Sequence, residues 1–195
     1  MEIKGYKCFN GDKTNRYGIP FEEGVNYHID GEIRFGNNGN GFHMCVHLSD
    51  VFRYFDTSDN NFCVGEVTCW GDCHLREAPD DFEGYYEMYA FSDMRIDRFM
   101  TREDIINKML ESSYNDVRKF LRTFVCTEDE IRLFVAKYHN DVDILSIILY
   151  YHYKNTGTYY MEVEDRKEQL NMEMRANGQN NNKGCKRKQL KEYRP

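Results

Sequence analysis

Apolar and polar residues follow two different patterns along this chain. Up to about residue 98 they alternate in short runs separated by glycines, which is the pattern of β-strands with one buried face. From about residue 101 to 154 the apolar residues recur every three or four positions, which is the spacing of amphipathic helices. Beyond about residue 165 the chain becomes polar, and a run of asparagines and glycines at 177–184 is typical of low-complexity sequence.

The first region predicts short strands joined by turns. Strands are expected at 5–9, 25–29, 32–35, 41–47, 62–68, 85–91 and 94–97. The pair Asp30-Gly31 predicts a tight hairpin between the second and third of these, because it favours the positive φ angles of a type I′ turn. Segment 49–55 predicts a two-turn helix with Ser49 as its N-cap.

The second region predicts helices with well-defined starts. Capping-box patterns occur at 101–104 and 127–130, and Asp141 precedes a run that is apolar on nearly every side. The fold class is therefore predicted to be α+β, with a small antiparallel, split or curved sheet and one short helix, then a helical appendage and a disordered polar tail. The predicted domains are a β-rich α+β domain at 1–99, the helical appendage at 100–160 and the polar, basic tail at 161–195.

Length, composition and cysteine content narrow the class of protein. No apolar run approaches the roughly 20 residues that cross a bilayer, and the N-terminus has no signal-peptide pattern. A cytoplasmic protein without membrane contact is therefore expected. The seven cysteines are odd in number, which favours reduced, mostly packed thiols or a metal site over a disulfide framework.

Charge is unevenly distributed along the chain. The net charge is −7, but the last 13 residues carry about +5, which leaves about −12 on the rest. An acidic body argues against a broad nucleic-acid interface. The basic end is predicted to be a solvated, disordered tail, and contact with RNA or another polyanion is the alternative.

Segment 41–47 places three potential ligands or catalysts on alternate residues. In a strand, His43, Cys45 and His47 lie on one face, with Phe42 and Met44 on the other. The structural alternative for His43 is a packed histidine that is bonded to a backbone carbonyl.

A zinc site is one interpretation of these residues. Zinc binds Cys and His ligands tetrahedrally, often in closely spaced pairs. Further donors with suitable spacing follow downstream, at Cys63, Cys69, Cys73 and His74. Buried free cysteines are the simpler interpretation, so zinc is not favoured and no metal ligands are assigned.

A ligand pocket is the second interpretation. A lysine on one strand, aromatic residues on a strand and a helix, and a carboxylate on a later strand suit a ligand with a ribose and a flat ring. A carboxylate bonded to a sugar hydroxyl can stabilise an oxocarbenium-like transition state. The candidates are Tyr6, Lys7, His43, Tyr54 and Glu66. The structural alternative is that Glu66 faces solvent and Tyr54 packs at the edge of a core.

Residues 5 to about 100 resemble an uncharacterised domain family of phages and bacteria. The resemblance rests on Gly5-Tyr6-Lys7-x-Phe9, Gly24-x-x-Tyr27, Gly31-Glu32-Ile33, Gly41-Phe42-His43-x-Cys45, Tyr54 and Gly65-Glu66-Val67. The family brings no established activity.

At a longer distance, the layout is similar to that of ADP-ribosyltransferases of the diphtheria-toxin type. The resemblance implies NAD as cofactor, with Tyr54 and Phe42 stacked on nicotinamide. Lys7 falls where that family has a histidine, and His43 or Lys7 would orient a ribose or phosphate. Glu66 would stabilise the developing ribosyl cation, and the acceptor would be a protein or a nucleic acid.

Three functions are therefore carried forward. The first is an NAD-dependent ADP-ribosyltransferase of a phage or mobile element. Its catalytic residues would be Glu66, His43 and Tyr54, and its cofactor-binding residues Tyr6, Lys7 and Phe42. Glu87 is the second candidate for the acid. The other two functions are a non-enzymatic protein-binding module and a small zinc-stabilised domain.

Overall fold

The computed structural model describes residues 2–35, 39–58, 60–80 and 84–176, without the side chains of 77–80 and 84–87. The strands are β1 Ile3–Asn10, β2 Asn26–His28, β3 Phe42–Cys45, β4 Phe62–Asp80 and β5 Gly84–Met100. The helices are α1 Leu48–Val51, α2 Arg102–Glu111, α3 Tyr114–Thr123, α4 Glu128–Lys137, α5 Val142–Thr156 and α6 Met161–Ala176.

The strands pair into a small antiparallel ring. The two long strands β4 and β5 run against each other, β1 adds to the free edge of β4, and β2 and β3 add to the free edge of β5. The ring closes between β1 and β3 through a single register pair, Tyr6 with Cys45. The sheet is therefore curved, and it is split where β1 and β3 diverge.

One face of the curved sheet encloses an aromatic and aliphatic cluster. Its buried residues are Phe9, Phe21, Phe42, Met44, Val67, Cys69, Phe91, Met94 and Ile96. Because successive strand residues point to opposite faces, Phe42 and Met44 enter this cluster while Cys45 packs outside it against Val51. The alternation predicted for this segment is thus confirmed over β3.

The helices share a second core with the other face of the sheet. Leu48 and Phe52, from the segment 48–55 that contains α1 (the α1 segment), join Val64 from β4 and Phe120 and Phe134 in one buried cluster. Both predicted capping boxes are present, at Thr101 with Asp104 and at Thr127 with Glu130. These reciprocal bonds satisfy backbone donors at the helix starts. The helical region therefore packs onto the sheet through a continuous core.

Several predicted local features differ from the structure. The Asp30-Gly31 hairpin does not form, because β2 pairs with β5 rather than with residues 32–35. Ser49 does not cap α1. The helix is a single turn that follows His47, and the Ser49 hydroxyl donates to Asp116 instead. The two strands expected at 85–91 and 94–97 are parts of the uninterrupted β5.

Part of the segment that was predicted to be a disordered tail is helical. Residues 161–176 form α6, because Val163 and Leu170 are buried in the helical core. Residues 177–195, including the basic segment, lie outside the described residues. The α+β class with a curved antiparallel sheet, one short helix and a helical region is confirmed. No helix in the described ranges combines the length and apolar character needed to cross a bilayer.

Candidate functional site

A cavity of about 660 Å³ opens at the split between β1 and β3. Its wall combines β1, β3, the loops that follow β1 and β2, the α1 segment, and one residue each from β4 and β5. The single β1–β3 register pair explains its position. Beyond that pair the strands no longer bond to each other, and the Lys7 amine instead donates to the backbone carbonyl of His43 at 2.8 Å.

The lining carries basic residues but no acidic ones among the described residues. Lys7 lies on β1, Arg16 on the loop after β1 and Arg76 on β4, and both arginines are exposed at the surface. The amides of Asn15 and Asn40 also reach the wall. In a protein of net charge −7 this local excess of positive charge favours an anionic ligand.

Aromatic side chains form much of the remaining wall. Phe35 stacks on the His43 ring with 4.9 Å between ring centroids and 22° between planes. Tyr54, which follows α1, is 48% exposed and also lines the cavity. Tyr17 and Phe55 are further aromatic residues of the wall. Flat, partly exposed rings beside cations are suited to a ligand that combines a planar ring with a negative group.

His43 is neutral in this setting. Burial, and next the nearby Lys7 charge, lower the pKa of His43 to about 4, although a backbone hydrogen bond with Arg34 acts in the opposite direction. Its Nε2 atom is buried and has no hydrogen-bond partner in the structure. A neutral imidazole can donate or accept one hydrogen bond without adding charge to the site.

We expect acid to destabilise the protein partly through His43. The folded state resists protonating this ring while the unfolded chain does not, so stability falls as pH decreases from about 6.5 towards about 4. After allowance for screening in the open cavity, the loss is about 1–2 kcal/mol. Urea unfolding at several pH values should show this loss in the wild type but not in His43→Phe. Parallel pH profiles for the two proteins would contradict it.

The structure brings five of the six predicted site residues together. Tyr6, Lys7, Phe42, His43 and Tyr54 all line the cavity. Phe42 is also buried in the inner cluster, where it packs edge-on against the rings of Phe21 and Tyr27. Only part of its surface is therefore available to a ligand.

Glu66, the predicted acid, is not part of the cavity wall. Its carboxylate bonds to Arg98 at 2.8 Å and to Lys108 at 3.3 Å, on the side of β4 that faces the helices. Register explains the separation. Paired residues of neighbouring strands share one face of the sheet, and Glu66 pairs with Tyr6 whereas Lys7 pairs with Gly65. Glu66 and Lys7 therefore lie on opposite faces. The side chain of the second candidate acid, Glu87, lies outside the described residues.

The predicted cysteine and histidine cluster is dispersed. Cys69 is buried in the inner cluster, Cys73 is exposed, and His47 lies beyond the end of β3 with Asp116 3.5 Å away. Within the described part of the chain, no group of three or more His, Cys, Asp or Glu residues is placed to hold a metal ion.

The cationic and aromatic residues Arg16, Phe35 and Arg76 were not predicted. Arg16 lies in a loop without hydrophobic periodicity, Phe35 ends the predicted strand 32–35 that does not form, and Arg76 lies on the part of β4 beyond the predicted strand. The pair Arg16-Tyr17 between two strands was the one available signal, but a basic residue beside an aromatic one is common on protein surfaces.

A buried polar network attaches the α1 side of the wall to the helices. The Asp50 carboxylate, fully buried, accepts from Lys119 on α3 at 3.1 Å, and the adjacent Ser49 hydroxyl donates to Asp116 on the same helix. Val51 and Tyr54, which line the cavity, follow directly in the chain. The helical region thus helps to position this wall.

A family match covers most of the residues that form the cavity. No curated protein and no solved structure matches the chain. Residues 3–83 match a family described as "Domain of unknown function (DUF7666)". All the cavity residues except Met88 fall within this match. The expected similarity to an uncharacterised domain family is therefore confirmed over residues 3–83.

Proposed function

We propose that this protein binds a small phosphate-bearing molecule with a planar ring, of the nucleotide class, in the cavity between β1 and β3. The observation that carries the proposal is the composition of the wall. Lys7, Arg16 and Arg76 line it together with partly exposed aromatic rings, and none of its described lining residues is acidic. Arginines recognise phosphate through charge-assisted hydrogen bonds, and aromatic rings stack on a base.

Isothermal titration with adenosine monophosphate and with adenosine tests the proposal. We expect the monophosphate to bind at least about tenfold more tightly, because charged hydrogen bonds contribute about 1.5–3 kcal/mol. Arg16→Gln should weaken only the phosphate-dependent part, by roughly tenfold, and added salt should do the same.

Arg132→Gln is the matched control. Arg132 is exposed on α4, pairs with Glu128 and Asp129 and is not part of the cavity wall, so its replacement should leave affinity unchanged. Equal affinity of the two ligands, or equal effects of the two arginine substitutions, would refute the proposal.

NAD-dependent ADP-ribosyl transfer is the narrower, second proposal. It is supported by the meeting of Lys7, His43 and Tyr54 in one cavity whose wall suits a dinucleotide. Glu66 is engaged elsewhere, so the transfer would depend on a different acid. Release of nicotinamide from NAD by the purified protein, unaffected by Glu66→Gln, is the expected result. Binding of NAD without turnover would contradict the transfer proposal and support only the binding function.

A further inference from the structure

Lys7 is a cavity lysine without an acidic partner among the described residues. Its amine donates to the His43 carbonyl at 2.8 Å and lies 5.7 Å from the centre of the Phe9 ring. Apart from neighbouring thiols, the group that acts on it electrostatically is Arg16, which has the same sign. An ammonium in this position is therefore poorly stabilised in the absence of ligand.

The thiols around Lys7 do not compensate. Cys8, Cys45 and Cys69 are close enough to interact with it electrostatically, but burial raises the pKa of each of these thiols to about 12. They are neutral at pH 7 and so offer no counter-charge. Burial in turn lowers the pKa of Lys7, which increases the fraction of neutral amine. A neutral amine that is held by one N–H bond keeps its lone pair available for attack.

We propose that Lys7 is a reactive amine that captures a phosphorylated aldehyde with a planar ring as an imine. The proposal rests on the proposed function, since the same cavity supplies the sites for phosphate and ring. Arg16 and Arg76 would hold the phosphate, and Phe35 and Tyr54 would flank the ring. The aldehyde carbon is then presented to the amine at the split between β1 and β3.

The chemistry is a reversible condensation that needs no oxidant or reductant. The Lys7 nitrogen attacks the aldehyde carbon and forms a C–N bond. The nitrogen gives up two protons, the carbonyl oxygen takes up two, and this oxygen leaves as one water molecule. The product is a C=N bond, which can accept a proton.

Borohydride trapping with pyridoxal 5′-phosphate tests the proposal. The purified protein is incubated with the aldehyde at pH 7 and reduced, and the modified lysine is identified by peptide mass spectrometry. We expect Lys7 to be labelled at least about tenfold faster than Lys4 on the same strand, because the cavity holds the aldehyde beside the Lys7 amine, whose pKa burial lowers. Lys4 is exposed and serves as an internal control that needs no variant.

Two variants separate this proposal from the binding function. Lys7→Arg keeps the charge but cannot form the imine, so it should lose the adduct and retain affinity for pyridoxine 5′-phosphate, which lacks the aldehyde. Lys7→Met should lose the adduct and also bind that analogue more weakly. The proposal is overturned if Lys7 and Lys4 are labelled to a similar extent in the wild type. It is also overturned if the Lys7→Arg protein forms as much adduct as the wild type. If the analogue binds to the wild type while Lys7 stays unlabelled, this inference fails and the binding function stands.

Discussion

Replacing Lys119 by Met is expected to lower the free energy of unfolding by about 3–5 kcal/mol. Lys119 is only 14% exposed and bonds to Asp50, whose side chain is completely buried. One carboxylate oxygen of Asp50, Oδ2, already lacks a hydrogen-bond partner. Without the ammonium, the protein must either bury an uncompensated charge or protonate the acid, and both cost free energy.

The pH dependence and a double variant identify the cause. Burial raises the pKa of Asp50, and loss of Lys119 raises it further. The destabilisation should therefore shrink as the pH falls and Asp50 becomes neutral. Asp50→Asn combined with Lys119→Met should be more stable at pH 7 than Lys119→Met alone. A loss below about 1 kcal/mol in the single variant, as expected for a surface pair, would contradict a buried ion pair between α1 and α3.

Gly5→Ala is expected to destabilise the protein by about 3 kcal/mol, the upper end for overpacking substitutions. A Cβ at position 5 would lie 2.1 Å from the end of the Met44 side chain and 2.3 Å from the backbone oxygen of Cys45. Met44 can move, but the Cys45 oxygen belongs to the strand that closes the ring. The substitution therefore forces β1 away from β3 at their single register pair.

Gly24→Ala is the matched control for Gly5→Ala. Gly24 has a positive φ of 77°, but no atom lies within 4 Å of the position that an added Cβ would take, so alanine costs only the backbone strain of about 1–2 kcal/mol. Denaturant unfolding measures both effects. Equal destabilisation by the two substitutions would show that the β1–β3 junction is not tightly packed.

Local sequence signals predicted the elements that local physics determines. Thr101 and Thr127 begin their helices as expected, because each capping box satisfies backbone donors within four residues of chain. Alternation also placed Phe42 and Met44 on the buried face of β3, because residues two apart on a strand point to the same face. Four of the cavity residues, Tyr6, Lys7, His43 and Tyr54, were recognised because aromatic and basic residues on predicted strands and a predicted helix are informative without knowledge of the pairing, and Phe42 came from the resemblance to ADP-ribosyltransferases.

Register and loops explain what local signals missed. Whether Glu66 reaches Lys7 depends on which β4 residue lies opposite each β1 residue, and no short-range pattern encodes that choice. The great length of β4 and β5 depends on partners on both edges and on irregularities such as the register shift near Gly71, which has a positive φ of 83°. Arg16 and Phe35 reach the cavity through irregular loops, whose paths are set by tertiary packing.

The location of bound adenosine monophosphate tests the central claim most directly. In a crystal structure of the complex, we predict the phosphate within hydrogen-bond distance of Arg16 or Arg76, and the base against Phe35 or Tyr54. The same nucleotide found elsewhere, for example against the exposed tyrosines of α5, or a cavity without nucleotide at saturating concentration, would contradict the claim.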